Sequence, residues 1–416
     1  MKYFLVGIKG TGMSALASLL YDLGHNVIGS DVDDEYFTEQ GLKLRNIHIY
    51  KFDEFCFDNT FTYIVGSAFN IMNKDVEKLI KNNFHYYYYH DFIGHVLNKE
   101  IIAVSGTHGK TTTTNFLYQM MDKKTSAIIG DGTGAGYTEN NLLVLEACEY
   151  KNHFLSYHPS VLIITNIEHD HPDFFSNINE VRNSFEKLIE QSDIIIANGD
   201  DMSVNKIKCN RMIKVGQEEH NDIKFEIKNL KESGYDIYIH MIDKNIFVPL
   251  LGKHLLYDFL LSYVTCYIQG IDPKIDDLKL PKRRMEEVHY GNTLLINDYA
   301  HHPTEINALY EHLRLKYKNK KINVIFQPHT YSRTLKLKKE FKKVLSLFDN
   351  VYVDKVFTSA REKQNKYLQL KVDKIFKRFY CYSKNILNQI NKENDEIWVF
   401  LGAGNINEYI KELKWK

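Results

Sequence analysis

Between residues 103 and 121 the chain reads AVSGTHGKTTTTNFLYQMM. An apolar run ends at Val104, glycines follow at 106 and 109, and a Lys-Thr pair opens a segment suited only to a helix. Gly106 and Gly109 let the backbone turn tightly and face an anion without a Cβ in the way. The first N–H groups of the following helix have no intrahelical partner and carry the positive end of its dipole. Lys110 is placed to reach outer phosphates over an open turn, and the hydroxyl of Thr111 or Thr112 suits Mg²⁺. The full phosphate-loop pattern requires glycine at 104, where this chain has valine, so the stretch Gly106, Thr107, His108, Gly109, Lys110, Thr111, Thr112 is a tighter variant. A capped glycine turn is the structural alternative. The strand before, the helix after and the threonine run favour phosphate.

A similar device stands near the start. Gly7, Gly10 and Gly12 follow an apolar run at 3–8. Read as Gly10-x-Gly12-x-x-Ala15, with Asp31 near the expected ribose position, it passes for a dinucleotide fingerprint. A nicotinamide oxidoreductase is therefore one reading, although the first glycine of that register lies two residues past the strand. The candidate anion-binding residues here are Gly10, Thr11, Gly12, Met13, Ser14 and Asp31. Ser67 and Ala68 end a later strand and are candidates for the same pocket.

The rest of the chain supplies the frame for two such turns. Its 416 residues predict two or three domains. With 53 basic and 53 acidic residues, no global field favours nucleic acid or a membrane surface. Five scattered cysteines form no CxxC pair and fit reduced thiols in a cytoplasmic protein. No window reads as a signal peptide or a membrane span. Strand-like and helix-like segments alternate almost throughout, which predicts parallel sheets covered on both faces. Strands are expected at 26–30, 62–67 and 85–89, the last, around Tyr86–Tyr89, as a buried strand. A second unit begins near Lys99, with strands at 101–105, 142–148, 161–167 and 193–198. Between the last two, Ile178, Val181, Phe185, Leu188 and Ile189 fall on one helical face. Residues 224–248 read as an antiparallel excursion. A third unit begins near Lys282, with strands at 294–297, 323–326, 351–353, 378–382 and 397–401 and helices over PTEINALYEHLRLKYK and TLKLKKEFKKVLSLF. The expected architecture is α/β in three domains, at 1–98, 99–281 and 282–416. Each is read as an α/β unit with a mostly parallel sheet, the central one carrying the phosphate turn; the resemblance drawn below implies Rossmann-like outer domains and a phosphate-loop ATPase domain between them.

Further motifs run in order along the chain: GIKGTGMSALA with GSD at 29–31, EACEYKNHFL at 146–155, TNIEHDHPD at 165–173, KRRME at 282–286, NDYAHHPTEI at 297–306, FQPHTYSRT at 326–334 and FLGAGNI at 400–406. Together with SGTHGKTTTT they resemble the Mur ligase family, the ATP-dependent amide-forming enzymes of cell-wall precursor synthesis. The resemblance is strongest to the branch that acts on UDP-N-acetylmuramate and L-alanine, and it spans nearly the whole chain. It implies three domains, in agreement with the boundaries above. It also implies ATP on the middle domain and a UDP-sugar diphosphate on the first, which accounts for two anion turns. The implied reaction activates the lactyl carboxylate as an acyl phosphate, which the amine of L-alanine then attacks. Partners are the three substrates, with no nucleic acid or membrane, in a monomer or homodimer. A sister ligase that joins a peptide, and a binding or regulatory protein on the same scaffold, stay open.

The resemblance carries residue roles. Glu146 ends a strand and His171 follows another, so with Thr111 they are the implied Mg²⁺ ligands. Lys110, Arg284, His171, Asp298 and His302 are the implied catalytic set, with Arg284 on the hinge to the third domain. Tyr299, His329 and Arg333 are placed around the amino acid, with Arg333 forking its carboxylate. Cys148 stands where the family commonly has Asp and is expected as a buried thiol rather than a nucleophile. In GKHLLYD at 252–258, Leu255 and Asp258 replace two asparagines of a family H-N-x-x-N. The second of these faces adenine in the family, so Asp258 is expected to accept from the base but not to donate.

Overall fold

In the computed structural model, residues 1–358, 362–381 and 384–414 are described. Three sheets follow one another along the chain. The first has five parallel strands in the order Ile49–Lys51, Asn26–Asp31, Lys2–Val6, Thr62–Val65, Tyr86–Tyr88. This is the 3-2-1-4-5 strand order of a Rossmann sheet, and it puts the chain reversal beside Lys2–Val6, where ligands bind in such folds. Both faces are covered, one by the helix Thr11–Asp22 and the other by aromatic rings, with Phe4 stacked on Phe55 at 4.4 Å between centroids. The tyrosine run departs from expectation. Tyr86–Tyr88 is a half-buried edge strand, and Tyr89 already begins the helix Tyr89–His95. An edge strand has one neighbour, so its rings are only partly covered.

The second sheet has ten strands. Its parallel centre runs Met212–Gly216, Ile194–Asn198, Val161–Ile164, Glu100–Ser105, Leu142–Glu146, Ser126–Ile128. Alternate residues of Glu100–Ser105 enter different cores, Ile101 and Ala103 on one face, Ile102 and Val104 on the other. The crossover helix Ile178–Glu190 is capped by Asn177 and buries Val181, Phe185, Leu188 and Ile189, with Ile178 half-covered. The antiparallel excursion is present as Ile223–Lys231, Gly234–Ile239 and Lys244–Val248. The helix Lys253–Ile268 packs on Lys110–Met120, and Ser262 donates to the Thr113 carbonyl at 3.0 Å.

The third sheet has the order Glu286–Tyr290, Thr293–Asp298, Glu396–Leu401, Lys321–Phe326, Asn350–Val353, Tyr380–Cys381, parallel except at its first strand. That first strand, absent from the sequence expectation, is mostly exposed and so shows no apolar alternation. The helix expected around 334–348 is two helices, Tyr331–Lys336 and Lys338–Leu345, meeting at Leu337. Of the strand expected at 378–382, Tyr382 lies outside the described residues. Among the described residues no helix is long and apolar enough to cross a membrane.

Candidate active site

The turn after Glu100–Ser105 is held by its own backbone demands. Gly106 has φ +142°, and a Cβ there would sit 2.0 Å from Thr165 Oγ1. Gly109, at φ +81°, caps Lys110–Met120, and a Cβ on it would sit 2.4 Å from Asp258 Oδ1. Only glycine fits either position. The Thr107 and His108 amides donate to Asn166, at its carbonyl (3.0 Å) and at Oδ1 (2.9 Å). The helix therefore begins with its free N–H groups directed into the mouth of the turn.

Lys110 does not lie over an open turn. Its Nζ donates to the Gly106 and Thr107 carbonyls and stands 3.0 Å from Glu149 Oε2. Glu149 is 2% exposed, and its other oxygen lies 3.2 Å from His171 Nε2. Neither carboxylate oxygen has a partner in hydrogen-bond geometry, so the contacts are ionic. Burial alone would raise the Glu149 pKa, but Lys110 and His171 bring it down to about 2. Sequence reading missed Glu149, which sits three residues past Glu146 in EACE. Glu146 itself accepts from Thr111 and from the Gly130 amide at 2.8 Å. Burial raises its pKa against the pull of Lys110. Thr111 and Glu146 thus lie together, while His171 Nε2 is turned to Glu149. Cys148 is exposed, contrary to expectation, because it lies past the strand end on the open side of the turn.

A cavity of about 380 Å³ opens beside the turn, lined among others by His108, Thr112, Asn198, Tyr257, Asp258 and Arg284. Asp258 is therefore in the cleft, where it also accepts from Thr113 Oγ1 at 3.1 Å. Burial pushes its carboxyl up to about 7. Near neutral pH this group is partly protonated and can donate as well as accept, which revises the acceptor-only expectation. His108 stands 3.6 Å from Glu168 and 3.5 Å from Glu305. Burial would lower its pKa, but the two carboxylates raise it to about 9. His108, Glu168 and His302 bring ligand atoms within 4.8 Å of one another. His302 Nδ1 accepts from the Thr304 amide at 3.4 Å, however, so the proton sits on Nε2 and that nitrogen is a donor rather than a metal ligand.

The third sheet closes the cleft. Arg284 Nη1 lies 3.7 Å from Glu305, and its guanidinium sits 5.2 Å over the Tyr299 ring. Asp298 spends one oxygen on the Met285 amide and the other on Ala300, both at 2.8 Å, so it shapes the arginine-bearing loop. His302 caps the helix Pro303–Lys316 in a capping box with Glu305. Arg333 differs from expectation. It is 2% exposed, and its fork closes on Asp170 through Nε and Nη2, each at 2.9 Å, while Nη1 meets His329 at 3.0 Å. An open fork for a substrate carboxylate is not present. Tyr299 faces a small cavity shared by Phe37 of the first unit, Thr111 of the second and Arg284 of the third.

At the first turn, Gly10 is exposed and opens the helix Thr11–Asp22 with no side-chain cap. Thr11 and Gly12 form its half-buried first turn, and Met13 and Ser14 face inward as support. Asp31 accepts from the Lys9 and Val32 amides at 2.7 and 2.8 Å, so both its oxygens brace the loop. Ser67 Oγ lies 3.3 Å from His90 Nδ1, and Ala68 is exposed beside it.

Family models match nearly end to end: the Mur ligase family catalytic domain at 2–100, the Mur ligase middle domain at 104–266 and the Mur ligase glutamate ligase domain at 283–393. The chain belongs to the Mur ligase family. It is thus an ATP-dependent amide ligase of the peptidoglycan-precursor type. Among solved structures, the UDP-N-acetylmuramate-alanine ligase of Thermotoga maritima is similar at 24% identity over 100% of this chain and 98% of that one, with TM-score 0.80. A murein peptide ligase of Psychrobacter arcticus matches at 19% identity over 100% and 98%, with TM-score 0.71. The MurF ligase of Thermotoga maritima, solved with ADP, matches at 18% identity over 93% of each chain, with TM-score 0.62. The Mur ligase fold therefore covers the whole chain, and the turn at 106–111 lies within the matched middle domain.

Proposed function

We propose that this Mur ligase joins L-alanine to the lactyl carboxylate of UDP-N-acetylmuramate at the expense of ATP, with 1–98, 99–281 and 282–416 as its three domains. The observation that carries the reading is the meeting of Phe37, Thr111, Arg284 and Tyr299, one or more from each unit, around one small cavity at the mouth of the phosphate turn. A UDP-sugar on the first turn and a nucleotide on the second would converge there. The similarity to the Thermotoga maritima alanine ligase over both full lengths supports the choice of branch.

ATP fits the cavity beside Gly109 and Thr112, whose volume is in the range of small-molecule sites. Mg²⁺ fits the Thr111 hydroxyl and the half-buried Glu146 carboxylate, an oxygen pair of the kind that ion prefers. When bound, ATP supplies the phosphoryl group and Mg²⁺ neutralises phosphate charge. The protein's part is positional and electrostatic. Lys110 is held in place by two carbonyls and Glu149, ready to exchange the carboxylate for phosphate oxygens. Arg284 faces the same point from the third unit, held by Glu305 and the Tyr299 ring. Asp298 and His302 fix the loop and helix that carry these partners. Tyr299 and His329 remain the candidates to line the amino-acid pocket, and Arg333 supports them from behind.

Phosphate release measured with UDP-N-acetylmuramate against a panel of amino acids and short peptides tests the reading. Release that depends on L-alanine is expected. Release driven by a peptide and not by alanine would instead make this a sister ligase.

A further inference from the structure

The balance of 53 basic and 53 acidic residues over the whole chain hides a local excess. In the third unit the helices Lys338–Leu345 and Lys366–Ile375 pack into one core on the same face of the sheet. Phe341 and Phe376 meet beneath them at 6.5 Å between ring centroids. Arg378 donates to the Lys342 carbonyl and to Ser346 Oγ, which joins the two helices at one end.

The outer surface of this layer is cationic. Lys338, Lys339 and Lys343 stand exposed on the first helix, and Lys366, Lys371 and Lys374 on the second. Among the described residues none of these lysines is in an ion pair. Other lysines of the same unit are paired, Lys316 with Glu287 and Lys320 with Asp395. The acids nearby are engaged elsewhere. Glu362 accepts from the Tyr331 and Ser332 amides, and Asp373 from Gln369 Nε2 at 2.9 Å. Glu340 is the only acid on the first helix. Like charges on neighbouring turns repel one another, and an anionic partner relieves that repulsion.

The second helix adds an apolar element. Its inner side sends Val372 into the core, with Leu368 and Ile375 half-covered. Tyr367 and Leu370 point the other way, 64% and 59% exposed. With Lys371 and Lys374 they follow the i, i+3, i+4, i+7 spacing of a single helix face. Lys371 Nζ lies 4.4 Å from the Tyr367 ring centroid. Such a face fits a bilayer boundary, where lysines meet headgroup phosphates and apolar side chains enter between them. A nucleic acid fits it less well. These cations are lysine point charges rather than arginine forks, and a phosphate backbone offers Leu370 no apolar contact.

We propose that this helical layer is a docking surface for anionic lipid headgroups and holds the protein peripherally on a membrane that carries them. Neither cavity of the site is lined by these residues, and the helix that faces the cleft is Pro303–Lys316. The docking surface and the substrate cleft are therefore separate.

The test is co-sedimentation of the full-length protein with vesicles of mixed phosphatidylglycerol and phosphatidylcholine, and with phosphatidylcholine alone, at low and high salt. Binding is expected only where phosphatidylglycerol is present, and it fades as salt screens the charges. Reversing three charges together, Lys339→Glu, Lys343→Glu and Lys371→Glu, should weaken binding on the order of 100-fold. Tyr367→Ser combined with Leu370→Ser should weaken it roughly tenfold. Both variants should keep the wild-type thermal midpoint and the wild-type turnover in solution, which separates docking from folding and catalysis. Absence of wild-type binding to phosphatidylglycerol vesicles at low salt would overturn the proposal, as would equal binding by either variant. Tighter binding to duplex DNA than to the vesicles would overturn it in favour of a nucleic-acid partner.

Discussion

Asp170 and Arg333 form a buried, two-pronged ion pair, 2.9 Å at each prong, that ties the loop after Val161–Ile164 to the helix Tyr331–Lys336. The pair joins the loop after a central strand of the second sheet to the third unit, 163 residues apart in sequence. Arg333 holds the Asp170 carboxyl well below the usual carboxylate range against the opposing effect of burial. The contact fixes the helix Tyr331–Lys336 against the loop that carries Asp170 and His171.

Breaking one side of that pair leaves a buried charge without a partner, which costs about 3–5 kcal/mol. Asp170→Ala and Arg333→Ala are therefore each expected to lower stability strongly, and the double variant to lose much less than their sum. Denaturant titration of the four proteins measures the coupling. Strictly additive losses would show that the pair contributes nothing as a unit. Because the folded Asp170 pKa is depressed, its contribution is present above the unfolded value near 3.8 and fades as the pH falls below it.

Lys110→Ala should reduce turnover by at least roughly 100-fold, the usual effect of removing one preorganised charge contact. It should also destabilise the fold, because Glu149 keeps its buried charge and loses its cation. Adding Glu149→Gln to that variant is expected to restore most of the stability and none of the turnover. A thermal melt and a phosphate-release assay on both variants separate the two effects. Recovery of activity in the double variant would mean that Lys110 serves only to balance Glu149.

Asp258 has a folded pKa of about 7 against an ordinary value of 3.8. Its protonated form fits the buried site, so its contribution is fully present below about pH 4 and is lost as the pH rises through 7. Asp258→Asn keeps the shape without the charge. The variant should match the wild type below about pH 4 and exceed it in stability at pH 8, by an amount on the order of a few kcal/mol at most. Parallel pH dependence of the two unfolding curves would show that Asp258 does not titrate there.

The two phosphate turns were legible because each needs glycine at fixed offsets between a strand and a helix, a purely local demand. The crossover helix was legible for the same reason: the apolar spacing of Val181, Phe185 and Leu188 is local. What escaped depends on contacts between distant segments. Glu149 becomes a site residue only when Lys110 and His171 arrive beside it. Arg333 looked free for a substrate because nothing in QPHTYSRT shows that Asp170 will occupy its fork. The strand Glu286–Tyr290 escaped because an exposed edge strand has no apolar alternation to read. Cys148 is exposed because the strand expected at 142–148 ends at Glu146, two residues before it.

The most direct test of the central claim is the product formed in competition. The protein is given ATP, Mg²⁺ and UDP-N-acetylmuramate with an equimolar mixture of L-alanine, glycine, L-serine and a muramyl-type tripeptide, and the products are identified by mass spectrometry. UDP-N-acetylmuramyl-L-alanine is expected as the dominant product, formed with one phosphate released per amide. A dominant peptide adduct, or phosphate release without any amide product, would contradict the claim.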